Sequence, residues 1–164
     1  LLNRDRPLTQ LLGTVVERNQ ISILVEKSKY RLTVFYRQKA IKSYPVVFGG
    51  NPTGDKLREG DKKTPEGIFR IQEQYLHAEW SKFLWLDYPT PYSWRKHHRA
   101  KARGAISSFA SIGGEVGIHG VPQSYDNSID DRANWTLGCV SLKNKDIDEL
   151  YAFTQVGTMV EILP

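Results

Sequence analysis

One thiol and one imidazole stand twenty positions apart in this sequence: Cys139 in Thr136-Leu137-Gly138-Cys139, and His119 in Gly117-Ile118-His119-Gly120. A cysteine at its ordinary pKa of about 8.5 is only a few per cent thiolate at pH 7. An imidazole titrating near neutrality can take the thiol proton and later return it to a leaving amine, and an imidazolium partner also lowers the thiol pKa. Gly138 permits a tight approach or an unusual dihedral just before the sulfur. The N–H groups of residues 137–139 would then face an oxyanion developing on an acylated carbon. Taken alone, a single cysteine reads as a small buried hydrophobe. The imidazole, flanked by small and apolar residues, turns the reading toward cysteine-dependent acyl transfer.

Such a pair needs a third group that fixes the imidazole tautomer. Asp126, Asp130 and Asp131 in the intervening loop are candidates, as are backbone carbonyls, and spacing does not rank them. Thr136 can meet the histidine or support the turn. Trp80, Trp85 and Trp94 read as core or rim residues, whereas Trp135, four positions before the cysteine, is the best candidate for a substrate wall. Asp87, Glu66 and Glu115 form no carboxylate pair suited to glycosidic chemistry. His97 and His98 lack the companions of a metal site, and one cysteine excludes a disulfide framework or a multi-thiolate metal centre. A thiolate supplies its own electrons for attack, so no cofactor and no metal are expected.

The elements that must position these groups are mostly strands. ISILVE at 21–26 and YRLTVFY at 30–36 read as a hairpin, and AIKSYPVVF at 40–48 as a third strand that Pro45 assigns to an edge or a bulge. Residues 49–67 form a long polar loop. TPEG launches IFRIQE, FLWLDY at 83–88 reads as another strand, and the basic stretch reads as a helix from Ser93 to about Lys101. Residues 7–17 suggest a short helix started by Pro7 and weakened by Gly13. After TLGCVSL, Asn144 is expected to cap a helix over 145–154 with Ile147, Leu150 and Tyr151 on one face, and TMVEIL closes the chain as a strand.

The 164 residues fit one domain, with 40% hydrophobic and 25% charged content. No run of 18 apolar residues occurs, so no transmembrane segment is expected, and LLNRDRPLTQ does not read as an intact signal peptide. The formal charge of +5 is moderate; Arg95, Lys96, Arg99, Lys101 and Arg103 cluster within nine positions. That cluster reads as a solvated surface or as a basic face for an anionic polymer. No nucleic-acid-binding signature accompanies it, so nucleic acid is not an expected partner.

His119-Gly120, the T-x-G-C of Thr136 to Cys139, TPEGIF at 64–69, NKDIDELY at 144–151 and VGTMVEIL at 156–163 together resemble the L,D-transpeptidase catalytic-domain (YkuD-like) family. The resemblance implies a mainly β, sandwich-like fold with a few short helices over residues 20–164, preceded by a lead-in over 1–19. It implies attack on an amide next to diaminopimelate in a peptidoglycan stem peptide, a Cys139 thioester, and release of the terminal D-amino acid. An amine of another stem or of an envelope lipoprotein then resolves the thioester. Carried onto these residues, Cys139 is nucleophile and His119 is base and acid. Gly138 and Cys139 supply oxyanion N–H groups, the Gly120 carbonyl orients the imidazole, and Thr136 supports the site. Carbapenems are expected to acylate Cys139, and the expected location is the periplasm or cell envelope.

The commoner family pattern has His at Leu137 and Arg at Ser141, so a five-donor group for a substrate carboxylate is missing. Trp135, Leu137 and Ser141 are expected to contact substrate, with Arg95 and Arg99 of the basic segment supplying carboxylate recognition. The departures keep a second reading open, an L,D-carboxypeptidase or an amidase on the same scaffold. A third is a non-catalytic envelope-binding module.

Overall fold

Period-two burial organises the start of the sheet in the computed structural model, which describes residues 1–164. ISILVE buries Ile21, Ile23 and Val25 and leaves the residues between them half-buried, giving strand β1 (Ile21–Glu26) one core face. A 3-10 turn over Lys27–Lys29 joins it to β2 (Arg31–Tyr36), which pairs antiparallel with β3 (Lys39–Pro45). β3 lies at the sheet edge, where the missing N–H of Pro45 is tolerated. It stops at Pro45 rather than at Phe48 because the chain then turns to other partners. Val47 exchanges backbone hydrogen bonds of 3.0 and 2.9 Å with Ser141.

The remaining strands are β4 (Gly67–His77), β5 (Ser81–Leu86), β6 (Gly117–His119), β7 (Val140–Ser141) and β8 (Met159–Leu163). Together they make one eight-stranded sheet in the order β3-β2-β1-β8-β4-β5-β6-β7. β4 is the fold's corner: Gly67 to Arg70 pair with β8, while Ile71 to His77 pair with β5 past an irregularity at Ile71/Glu73. Isolated bridges from Val47 to Ser141 and from Gly49 to Thr136 bring the β3 end of this order against the β7 end. The curled, mainly β fold encloses a core of 22 buried residues that includes Tyr44, Phe48, Phe69, Leu84 and Ile118.

Four helices flank the sheet: α1 (Leu8–Leu12), α2 (Pro91–Ala102), α3 (Asn127–Asp130) and α4 (Asn144–Phe153). α1 is much shorter than residues 7–17, because Gly13 takes φ +80° and ends it. α2 begins two residues before Ser93: Thr90 and Ser93 form a reciprocal capping box, and Pro91 occupies the first helical position. α4 buries Ile147, Leu150 and Phe153, with Tyr151 partly buried against the same core. Asn144 does not cap it with its own side chain. Its Oδ1 accepts the Val121 N–H at 2.9 Å, and the Asp126 carboxylate accepts the Asn144 N–H at 2.9 Å instead. An acidic acceptor there complements the partial positive charge of the helix start. No helix is long and apolar enough to cross a membrane.

Candidate active site

Strands β6 and β7 run parallel, with Ile118 opposite Val140 and His119 opposite Ser141. That register brings the end of the GIHG segment beside the TLGC turn. Cys139 precedes β7 and remains half-buried; its sulfur accepts the Gly117 N–H at 3.3 Å and donates to the Glu115 carbonyl at 3.6 Å. Cys139 and His119 line the same cavity of about 700 Å³, together with Trp135, Thr136 and Leu137.

The turn is wound around Thr136. Its hydroxyl donates to the Cys139 carbonyl at 2.7 Å and accepts the Gly138 N–H at 3.2 Å. Gly138 has φ +152°, and a Cβ there would lie 2.9 Å from the Lys63 carbonyl oxygen, so glycine lets the long loop lie flat against the turn. The Gly138 N–H, expected to face an oxyanion, is therefore already committed to Thr136. The Cys139 N–H has no acceptor within the protein.

Four neighbours hold the His119 ring. The Gly120 carbonyl lies 2.7 Å from Nδ1, which places the proton on Nδ1 and leaves Nε2 as the acceptor. Trp80 stacks on the ring at 4.2 Å and 20°, and Phe83, its cross-strand partner on β5, lies near-parallel at 5.6 Å. Trp135 meets the ring edge-on at 5.5 Å. Burial pushes the His119 pKa down to about 4, with the Gly120 carbonyl opposing and His77 adding a little to the fall. Burial pushes the Cys139 thiol up to about 11, against the Gly117 N–H and the Lys56 cation. The resting pair is thus neutral thiol and neutral imidazole, not the ion pair that the residue types alone suggest.

The buried imidazole has a consequence for stability. Above about 6.5 His119 is neutral in both folded and unfolded chains; between about 6.5 and 4 the unfolded chain takes a proton that the folded one refuses. Stability should therefore fall by roughly 3 kcal/mol as pH drops through that window. In urea titrations at pH 7.5 and 4.5, His119→Gln should lose less stability between the two than the unaltered protein does. Equal losses would mean that His119 is not held neutral.

Several expected contacts lie elsewhere. Ser141 is fully buried and donates to the Gly120 carbonyl at 2.9 Å, so it presents nothing to the cavity. Gly120 is itself enclosed, because a Cβ would sit 2.1 Å from Asn144 Oδ1. Arg95 and Arg99 do not line the cavity. They are exposed, one turn apart on the outer side of α2, and the Arg95 guanidinium lies 5.6 Å from the centre of the Tyr92 ring. The inner side of α2 buries Ser93, His97 and Ala100, and His97 Nδ1 meets the Leu57 carbonyl at 2.5 Å. The basic helix thus braces the long loop rather than entering the cavity. None of the three loop aspartates holds the imidazole: Asp126 serves α4, Asp130 pairs with Lys143 at 2.8 Å, and Asp131 is exposed.

Trp80, expected as a core or rim residue, and Phe83 are parts of the site, and Lys56 and Lys62, which no motif marks, line the cavity. The strand pattern of FLWL carries a signal for Phe83 once β5 is paired with β6. Nothing in the spacing of the loop residues marks the two lysines.

The family model described as YkuD, L,D-transpeptidase catalytic domain, matches residues 20–162. YafK of Escherichia coli (strain K12) is 24% identical over 155 residues, 92% of this chain and 51% of YafK. The chain thus spans about half the length of the curated relatives it matches. Among solved structures, Bd1075 of Bdellovibrio bacteriovorus superposes with a TM-score of 0.63 at 24% identity, covering 88% of this chain and 48% of that one. An L,D-transpeptidase from Mycobacterium smegmatis superposes at 0.58 with 15% identity, covering 88% and 59%. These likenesses are of fold.

Proposed function

The chain belongs to the L,D-transpeptidase catalytic-domain family, and from that premise we propose that it transfers the acyl group of a diaminopimelate-containing peptidoglycan stem peptide through a Cys139 thioester. One observation carries the reading: a thiol and an imidazole open into one cavity, and the imidazole is locked with its acceptor nitrogen free. In this mechanism His119 Nε2 takes the thiol proton as sulfur attacks the amide carbonyl, and the Cys139 N–H donates to the oxyanion. Collapse of the tetrahedral species breaks the C–N bond, and His119 returns the proton to the departing amine. A second amine, from another stem peptide or an envelope lipoprotein, attacks the thioester and regenerates the thiol. Peptidoglycan as substrate implies an extracytoplasmic site of action, in the periplasm or cell envelope.

A second reading has water resolve the thioester, making the protein an L,D-carboxypeptidase or an amidase. It is favoured by the sealed Ser141 and by Leu137, 76% exposed at the cavity, which leave an acceptor few polar contacts there. Incubation with defined muropeptides, with and without an added acceptor amine, separates the two by mass spectrometry. Exchange or dimer products support transfer; trimmed monomer or freed protein alone supports hydrolysis. No product of either kind would overturn both.

A further inference from the structure

Two lysines of the long loop, Lys56 and Lys62, line the cavity, and neither α2 nor β7 supplies a cation there. Asp61 organises the loop: Oδ2 accepts the N–H groups of Leu57 and Arg58 at 2.9 and 3.1 Å, and Oδ1 accepts the Lys63 N–H at 3.1 Å and Lys56 Nζ at 3.0 Å. Burial alone would raise the Asp61 carboxyl, but these four donors hold it below its usual range, so it stays an anion. A further bond from Lys56 reaches the Arg58 carbonyl at 3.1 Å. The Lys56 side chain is 5% exposed and cannot swing into bulk solvent.

An ammonium carries three N–H donors, and two of those on Lys56 are accounted for. Lys56 lines the cavity, with Nζ 3.8 Å from where a Cβ on Gly138 would stand, beside the residue that precedes the sulfur. Asp61 balances the charge of Lys56, so a surplus must come from a second cation. Lys62 supplies it: it is exposed, lines the same cavity, and has no carboxylate within ion-pair distance. Glu59 and Glu115 also line the cavity and would repel an anion placed near them. An anion is therefore favoured near the two lysines rather than near the two glutamates, with Lys56 the one beside Gly138.

We infer that Lys56, anchored by Asp61 against Gly138, and Lys62 at the rim form a subsite for the free carboxylate of a peptide acyl donor. The inference rests on the acyl-transfer reading and adds to it where the donor's carboxylate sits. It replaces the expectation that Arg95 and Arg99 read that group. Lys56 already has the geometry of a fixed charge-assisted donor, so little ordering accompanies binding.

The test uses a stem tetrapeptide and its C-terminal carboxamide, each titrated into the Cys139→Ala protein so that binding is read without turnover. The carboxylate form should bind about tenfold to a hundredfold more tightly than the carboxamide. Lys56→Met should bring that ratio close to one, Lys56→Arg should restore part of it, and Lys62→Met, a change at an exposed residue, should reduce it about threefold. Equal affinity of the two peptides for the Cys139→Ala protein would overturn the subsite. So would a Lys56→Met protein that weakens both peptides equally, since Lys56 would then only staple the loop. A binding preference that persists while the Cys139-intact protein turns over neither peptide would remove the acyl-transfer reading and leave the subsite standing.

Discussion

Cys139→Ala is expected to lower turnover of muropeptide substrates by about four orders of magnitude or more while leaving the fold intact. The two halves of that expectation have separate causes. The sulfur holds nothing structural together, because its contacts are one N–H at 3.3 Å and one carbonyl at 3.6 Å, and the side chain is half-buried at the cavity. The turn that carries it is held by backbone groups and the Thr136 hydroxyl, none of which the substitution removes. Denaturant stability should therefore change by no more than about 1 kcal/mol. Cys139→Ser should be nearly as inactive, since a hydroxyl is far less acidic than a thiol already raised to about 11. A Cys139→Ala protein that still processes muropeptides at the original rate would end the thioester mechanism, whatever its stability.

The same contrast separates what was legible in the sequence from what was not. Local pattern finds the strands with uneven bounds: ISILVE is β1 to the residue, whereas β5 starts and ends two residues before FLWLDY; HG sits at the end of β6, and T-x-G-C is the turn that leads into β7, the parallel neighbour of β6. Patterns of period two and short motifs are properties of a few consecutive residues, so they survive without knowledge of the fold. Arg95 and Arg99 show where this reasoning fails. Charge clustering marks the basic helix, but which side is buried, and that neither side reaches the cavity, depends on Ser93, His97 and Ala100 packing against the rest of the fold. The pKa of His119 depends on Trp80 and Phe83, which reach it from the end of a hairpin some forty residues away. Lys56 is the extreme case. Its place in the cavity comes from a loop wound about Asp61, and a polar loop of this kind has no periodicity to read.

His119→Ala should change the shape of the pH–rate profile for acylation of Cys139 as well as its height. With His119 present, the rate of carbapenem acylation, followed by intact-protein mass spectrometry, should rise through about pH 4 as the imidazole loses its proton and then stay level to neutrality. The base acts on a neutral thiol, so the level region does not need preformed thiolate. Without His119 only the thiolate fraction reacts, and for a thiol at about 11 that fraction is on the order of one in ten thousand at pH 7. The variant should be about a hundredfold to ten-thousandfold slower at pH 7, with the deficit shrinking about tenfold for each unit of pH toward 11. The substitution also empties a slot between Trp80 and Phe83 that is shaped for a five-membered ring. Free imidazole added to the medium should enter it, donate its N–H to the same Gly120 carbonyl, and recover part of the lost rate at neutral pH without altering the rate near pH 10. A general loss of structure would not respond to imidazole in that pH-selective way. Acylation at an undiminished rate in the variant at pH 7 would exclude His119 as the base, and the neutral resting pair would then need another proton acceptor.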